Sequence, residues 1–321
     1  MDLRLIDAES VHRLLDYVPL VEALAAAHRT APPLVGRALL EPPPGAGRVG
    51  EGFLVLPAWA HGRAFGVKMV TIVPGNADLE DGPPTVQAVY HLFEGASGRP
   101  VAVIDGTALT LRKTAADSGL GASLLARHDV RTLLMIGAGA LAPHLIGAHL
   151  AVRPSLERVL VWNWSAPRRD RLLAELVQKG IPAEASEDLE AAVRAADVIS
   201  AATLASEPLV RGAWLRPGSH VDLVGAYTPT MREADDEAMR RARVHVDYRG
   251  STVGESGDLV QPIASGAITE QDVLGDLFDL CQGHVPNRRG VDEITLFKNG
   301  GGSHLDLFTA EFLLRRLADE A

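Results

Sequence analysis

The sequence predicts an α/β protein in which a Rossmann-type parallel sheet is joined to a second domain of α+β type. Three observations carry this expectation. Leu133 to Ile136 form an apolar run that passes without a polar break into Gly137-x-Gly139-x-x-Ala142, after which Leu141, Leu145, Ile146, His149 and Leu150 recur at helical spacing. Strand-like and helix-like stretches alternate between residues 132 and 247, as in a parallel sheet covered by helices. Ahead of residue 110 the pattern differs: a helix, then segments that read as a mostly antiparallel sheet.

Composition narrows the function classes. The 321 residues suffice for two domain-sized cores, and 47% apolar with 22% charged residues is an ordinary globular balance. A formal net charge of −10 argues against nucleic acid or an anionic membrane as partner, since both favour a basic face. The single cysteine, Cys281, excludes an intramolecular disulfide and a multi-cysteine metal site, and reads as a small buried hydrophobe in a reducing compartment. The first ten residues carry acids where a signal peptide carries bases, and no apolar stretch approaches a membrane span. The expectation is a soluble cytoplasmic protein.

In chain order, Ser10 is the expected N-cap of a helical stretch within the first thirty residues. Val11, Leu14, Leu15, Val18 and Leu20 begin its apolar stripe, Val21, Leu24 and Ala25 extend it, and Pro32-Pro33 ends it. β-like material follows at Leu39-Leu40, Phe53 to Leu56 and Ala64 to Val73, with turns at Pro42 to Gly47, Pro74 to Asn76 and Asp81 to Pro84. Thr85 to Phe93 and Pro100 to Ile104 read as a hairpin turned at Glu94 to Arg99, and Asp105-Gly106 as a further turn. A helix from Leu109 to Arg127 links the domains. Strands are then expected at 132–136, 158–163, 197–202, 219–225 and 243–247, with helices at 139–152, 167–179, 187–195 and 232–242. Residues 270–281 read as another helix, Glu293 to Phe297 as a short strand, Asn299 to Ser303 as a loop and Leu305 to Leu317 as a final amphipathic helix.

A strand, glycine turn and helix in this order mark a dinucleotide site. Gly137 permits the tight turn, Gly139 lets the backbone approach a pyrophosphate, and Ala142 lets helix and strand pack closely. The helix N-terminus offers unpaired N–H groups to the phosphates. NAD enzymes commonly place an acid at the end of the next strand to bond the ribose, but here Arg158 to Asn163 ends in Asn and is followed by Arg168-Arg169. Asn163 does not repel a 2′-phosphate and either arginine can pair with one, so NADP(H) is favoured over NAD(H); both arginines also fit the first turn of a solvated helix.

Outside that site, three basic positions stand in unusual settings. Arg37 follows the proline break, Lys68 lies inside the apolar run Phe65 to Val70, and Arg112-Lys113 opens the linking helix. A buried lysine must find an anion or lose its proton, whereas an edge-strand lysine would snorkel to water. Together such cations can bind the carboxylate of a small acid. His91, His220 and His304 have no metal-like spacing and read as structural, although His304 follows a Gly-rich loop and can line a pocket.

Taken collinearly, several motifs resemble the ornithine cyclodeaminase/μ-crystallin family: Gly66-Val-Lys68, Pro74-Gly-Asn76, Pro84-Thr-Val86, Leu109-Thr-x-x-Lys-Thr-Ala-Ala116, Ile136-Gly-Ala-Gly-Ala140, Ala202-Thr203, Pro217-Gly218, Val224-Gly-Ala226, Arg232-Glu233, Ser256-Gly-Asp-Leu259 and the helix of Asp306. The resemblance spans nearly the whole chain. It implies a homodimer of two-domain subunits, with residues 1–115 and the C-terminal helix 303–321 as substrate-binding and dimerisation domain and 116–302 as Rossmann domain. It also implies hydride exchange between nicotinamide and the α-carbon of an amino or imino acid. Arg37, Lys68 and a third cation at Lys113 would hold the substrate carboxylate; Thr114, Gly137, Gly139, Ala140, Leu141, Asn163, Arg168, Ala202 and Thr203 would contact the dinucleotide.

Two departures from the family pattern bear on activity. Gapless alignment puts Lys113 where the family has Arg, which keeps the charge and loses the bidentate fork; Arg112 substitutes only if the helix shifts register. Ornithine cyclodeaminases carry Asp after the Val-Gly-Ala motif, where this chain has Tyr227, a poor base at neutral pH that can donate a proton. A second cyclodeaminase acid is missing from Phe53 to Pro57. The expected activity is therefore NAD(P)H-dependent reduction of a small α-imino acid such as a cyclic ketimine carboxylate, with Lys68 or Tyr227 managing the proton. The alternatives are ornithine cyclodeaminase itself and a non-catalytic, NADPH-dependent small-molecule-binding protein.

Overall fold

A computed structural model of the chain describes residues 3–43, 45–46, 48, 50–79 and 81–320. Pro44 and Gly47 of the expected Pro42–Gly47 turn, and the terminal residues Met1, Asp2 and Ala321 of the expected domain bounds, lie outside the described residues. The chain divides into two units, Met1–Ala23 with Ala31–Lys113 and Gly302–Ala321, and Leu24–Thr30 with Thr114–Gly301. The fold is of the α/β class, with a parallel Rossmann-type sheet in the second unit and a separate, mostly antiparallel sheet in the first.

In the first unit the N-terminal stretch is not one helix but a strand and two helices: β1 (Arg4–Ile6), α1 (Ala8–Leu14) and α2 (Tyr17–His28). Asp7, not Ser10, caps α1, its Oδ1 accepting the Ser10 amide at 2.9 Å, because Asp7 has the extended backbone of a cap while Ser10 is already inside the first turn. Pro19 explains the break. It lacks the amide that would continue α1 and is tolerated in the first turn of α2.

The sheet of this unit comprises β2 (Leu34–Val35), β3 (Ala38–Leu40), β4 (Gly52–Ala60), β5 (Ala64–Ile72), β6 (Val86–Glu94) and β7 (Pro100–Asp105), with β1. Its order is β1-β7-β6-β5-β4-β2, with β3 also on β4; β4 to β7 form an antiparallel meander and β1 runs parallel to β7. The long helix α3 (Gly106–Leu125) follows directly: the expected turn at Asp105-Gly106 is the junction itself, where Asp105 Oδ1 accepts the Ala108 amide at 2.8 Å.

β5 is interior, paired with β4 on one side and β6 on the other. Its period-two alternation buries Ala64, Gly66, Lys68 and Val70 on one face. The C-terminal helix, Ser303–Asp319, packs against β4, β5 and β6. Gly66 is required there by the buried Tyr90, since a Cβ at position 66 would overlap the Tyr90 hydroxyl and lie 3.1 Å from Leu307 Cδ1.

The second unit contains β8 (Thr132–Ile136), α4 (Ala142–Val152), β9 (Arg158–Trp162), α5 (Ala166–Gln178), β10 (Ala183–Ala185), α6 (Leu189–Ala195), β11 (Val198–Ala201), β12 (His220–Leu223), α7 (Asp236–Arg241), β13 (Arg243–Val246), α8 (Arg249–Thr252), α9 (Gly257–Ala264), β14 (Val273–Gly275), α10 (Leu277–Gln282) and β15 (Thr295–Lys298). All its strands pair in parallel, in the order β10-β9-β8-β11-β12-β15-β13-β14. The inner strands are buried on both faces, so Leu134, Ile136, Ile199, Val221, Leu223 and Leu296 lie in one apolar core and read in sequence as continuous runs. The chain leaves β8 towards β9 and β10, then returns to β11 on its other side. This reversal makes the β8/β11 edge the topological switch point, outside whose carboxyl ends ligands bind in such sheets.

The single helix expected at 270–281 is a 3-10 turn, the edge strand β14 and then α10. Asp276 divides it, accepting the Phe278 and Asp279 amides as the N-cap of a new helix. The helix expected at 232–242 is confined to α7, which leaves residues 224–235 as a loop after β12. Among the described residues no helix is long and apolar enough to cross a membrane.

The Gly66–Tyr90 contact gives a paired expectation. Gly66→Ala should destabilise the fold by about 2 kcal/mol or more through overpacking. Tyr90→Phe should stay within about 1 kcal/mol of wild type, because the Tyr90 hydroxyl is buried with no hydrogen-bond partner among the described residues. Chemical denaturation of the two variants checks this; equal loss in both would contradict it.

Candidate active site

The alternation of β5 points Lys68 to the face on which the C-terminal helix lies, and the first turn of that helix carries Asp306. Lys68 Nζ lies 2.9 Å from Asp306 Oδ2 and 3.1 Å from Oδ1, and donates to Thr110 Oγ1 at 3.4 Å. Thr110 and Lys113 are three residues apart on α3 and so share a face. Lys113 Nζ lies 3.9 Å from Asp306 Oδ1. Lys68, Lys113 and Asp306 are all buried. Lys68 is therefore a paired interior lysine and not one snorkelling from an edge strand. Two buried lysines thus converge on one carboxylate, and buried cations of this kind are suited to binding an anion.

The linking helix also settles which of its two cations faces this cluster. Arg112 turns to the N-terminal helices, its Nε donating to His12 Nδ1 at 3.1 Å and its Nη2 to the His12 carbonyl at 2.6 Å, with its guanidinium 4.8 Å from the Tyr17 ring centre. Arg37 is exposed between β2 and β3. His304 is buried edge-on to Phe308 in the C-terminal helix and His220 is buried against Thr295 Oγ1, both as structural side chains.

In the second unit, Gly137 follows β8 with φ +111°, where a Cβ would stand 2.6 Å from the Ala202 carbonyl oxygen. Gly139 is different: a Cβ there would meet no protein atom within 4 Å, so the space over its backbone is open to a ligand. Ala140 and Leu141 lead into α4, which has no side-chain cap at its N-terminus; within it the Ala142 and His144 amides bond the Gly139 and Leu141 carbonyls, each at 3.0 Å, and Pro143 has no amide. These residues fit a dinucleotide. Asn163 ends β9 and donates from Nδ2 to the Ser165 carbonyl at 3.0 Å. Of the two arginines in the first turn of α5, Arg169 is turned inward and paired with Asp170 at 2.9 Å and Glu187 at 2.7 Å, whereas Arg168 is exposed. Ala202 and Thr203 follow β11; Thr114 is buried on α3, its carbonyl accepting from Asn299 Nδ2 at 2.9 Å; Tyr227 is exposed in the 224–235 loop.

Residues 20–320 match the model of the ornithine cyclodeaminase/mu-crystallin family. The chain belongs to this family. A relative from Paracoccus denitrificans, named Delta(1)-pyrroline-2-carboxylate reductase, is 47% identical over 302 residues, which are 93% of this chain and 92% of that protein. Among solved structures, the Delta(1)-pyrroline-2-carboxylate reductase of Thermococcus litoralis in complex with NADH and L-proline is similar, with a TM-score of 0.90 at 29% identity over 99% of this chain and 98% of that one. An archaeal alanine dehydrogenase dimer with bound NAD has a TM-score of 0.89 at 26% identity over 100% and 98% of the two chains.

This family member also holds functional candidates that sequence reasoning missed. In the 224–235 loop Glu233 is fully buried; its Oε1 accepts the Thr203 amide at 2.7 Å and the Thr203 hydroxyl at 2.8 Å, and its Oε2 accepts the Gly225 amide at 2.6 Å. Asp258 Oδ1 accepts the Glu233 amide at 2.7 Å, and Lys298 Nζ at the end of β15 lies 3.1 Å from Asp258 Oδ2. Burial, and then the Asp258 charge, push the Glu233 carboxyl up to about 7, against the pull of Lys298 and of the bonds from Thr203 and Gly225. The signal available was the pairing of Arg232-Glu233 with Ser256-Gly-Asp-Leu259 in one motif series, which places both acids but gives neither a role.

Because the folded Glu233 value lies above the ordinary 4.5, its stabilising contribution is full below about pH 4.5 and lost as pH rises through about 7. Wild type should therefore lose stability relative to Glu233→Gln, by on the order of 2 kcal/mol, between about pH 5 and about pH 8. Denaturation of both proteins across that range tests it; a difference that does not vary with pH would contradict it.

Proposed function

We propose that this chain is an NAD(P)H-dependent reductase of a small cyclic α-imino acid, with a five- or six-membered ketimine carboxylate as substrate. The observation that carries the reading is the buried Lys68–Asp306–Lys113 cluster, in which two lysines converge on one carboxylate. The Paracoccus denitrificans relative, named for the reduction of such an acid, supports it.

In this reading Lys68 and Lys113 hold the substrate carboxylate, with exposed Arg37 as a third cation, and so orient the acid for reaction. Asp306 holds the Lys68 ammonium in place. Gly137, Gly139, Ala140, Leu141, Ala202, Thr203 and Thr114 hold the dinucleotide, which when bound supplies a hydride to the imine carbon. The imine nitrogen gains a proton, and Lys68, or the Tyr227 hydroxyl, is the group to deliver it. Asn163 in place of an acid and exposed Arg168 favour NADP(H) over NAD(H). Losing the cyclodeaminase acids at Tyr227 and within Phe53–Pro57 disfavours ornithine as substrate.

A homodimer is part of the proposal. The face of the first unit's sheet opposite the C-terminal helix carries an apolar hollow lined by Leu34, Pro57, Trp59, Phe65, Val67 and Phe93, with Trp59 and Phe65 stacked at 5.2 Å. Leu34 is 67% and Trp59 37% exposed, and such a patch favours a partner surface. A cytoplasmic location belongs to the same proposal, in keeping with a single cysteine.

The test is the loss of reduced-nicotinamide absorbance when purified protein meets pyrroline-2-carboxylate or piperideine-2-carboxylate with NADPH or NADH. Imine-dependent oxidation is expected, with kcat/KM lowered roughly a hundredfold or more in Lys68→Ala. Proline and ammonia from L-ornithine with NAD+, without imine reduction, would overturn the reading in favour of cyclodeamination. Cofactor binding with no turnover of any imino acid would favour a binding protein.

A further inference from the structure

We propose that Glu233 is a positioning residue for the dinucleotide, acting through Thr203, which it fixes as a hydrogen-bond acceptor at the switch point of the parallel sheet. The inference rests on the dinucleotide reading of the second unit and adds to it a residue that touches no ligand itself.

The geometry that leads to it is an interlock of three strand ends. Thr203 follows β11 and stands beside the glycine turn: a Cβ on Gly137 would lie 3.3 Å from Thr203 Cγ2. Glu233 takes both the amide and the hydroxyl hydrogen of Thr203 on one oxygen and the Gly225 amide, after β12, on the other. Gly225 has to be glycine, since a Cβ there would overlap the Thr203 backbone and lie 2.6 Å from Glu233 Oε1. Behind the carboxylate, Asp258 grips the Glu233 and Ala234 amides at 2.7 and 3.2 Å, and Lys298 at the end of β15 closes on Asp258. The ends of β11, β12 and β15 are thus tied by one buried chain of charges, in which each acid accepts backbone amides.

The chemistry follows from where the hydroxyl proton goes. Because Thr203 Oγ1 donates its only hydrogen to Glu233, it can meet a ligand only through its lone pairs. The matching group on the dinucleotide is a donor, a ribose hydroxyl or an amide N–H. A glutamine at position 233 must turn its NH2 towards one of the amides that now donate to the carboxylate, so one restraint on Thr203 or Gly225 becomes a repulsion. The orientation of Thr203 is then released without change in side-chain volume.

The experiment measures dissociation constants for NADPH and NADH by fluorescence quenching, and steady-state KM values, at fixed pH near 8 where the carboxylate is ionised. The variants are Glu233→Gln, Thr203→Val, Thr203→Ser and the double variant Glu233→Gln/Thr203→Val. Glu233→Gln should raise the dinucleotide Kd about tenfold, while the imino-acid KM of the folded protein moves less than about threefold. Thr203→Val should match it, Thr203→Ser should restore wild-type binding, and the double variant should be no worse than either single one, because both act on one interaction. A folded Glu233→Gln with wild-type dinucleotide Kd would overturn the proposal, as would additive losses in the double variant. Should Glu233→Gln not fold, Glu233→Asp, which keeps the charge and withdraws it from Thr203, replaces it in the same comparison. A wild type that binds neither dinucleotide would overturn the cofactor reading and this inference with it, whereas loss confined to the comparison of variants would overturn this inference alone.

Discussion

A single carboxylate, Asp306, makes the interior of the first unit tenable. Two lysines enter a region where an unpaired ammonium would cost several kcal/mol or lose its proton, and both lie against that one acid. Lys68 is there because the pleat of β5 sends every second residue to the covered face. Asp306 is there because the last helix of the chain packs on that face. The close fit that brings the helix down is set by a neighbouring position, Gly66, where the Tyr90 ring leaves no room for a side chain. Packing thus fixes where the two lysines and the acid meet.

The second unit solves a related problem with the opposite sign. Glu233, Asp258 and Lys298 are buried together, so two acids share one base. Here backbone amides do most of the satisfying, those of Thr203 and Gly225 bonding Glu233 and those of Glu233 and Ala234 bonding Asp258. Such a cluster is suited to holding loops in place at the carboxyl ends of the strands. The lysine pair of the first unit is suited to receiving a carboxylate.

How much of this could be read from the chain depended on how local the physics was. The parallel sheet was legible because strands such as Leu133 to Ile136 are buried on both faces, and the glycine turn because Gly137 needs a left-handed backbone. Lys68 stood out as a charge in an apolar strand. Its partner did not, because Asp306 lies 238 residues away and only tertiary packing brings it near. The same holds for Glu233 and Asp258, which look like ordinary loop acids until their burial is known. Local chemistry was misread where a cap competes with periodicity: Asp7 over Ser10, Asp276 within an apparently continuous helix, and Asp105 at the start of α3. The helices α8 and α9 escaped notice because Gly250, Gly257 and Pro262 look like breakers in sequence.

The claim on which the functional account turns is that the lysine pair beside Asp306 reads the carboxylate of the substrate. The most direct measurement compares kcat/KM for pyrroline-2-carboxylate with that for 1-pyrroline, the same ring without the carboxylate, in wild type and in Lys113→Met. The account predicts that wild type prefers the acid by about a hundredfold or more and that most of this preference disappears in the variant, through loss of the acid and not through gain of the neutral imine. A folded Lys113→Met protein that keeps the wild-type preference would mean that the carboxylate is recognised elsewhere, and would contradict the account.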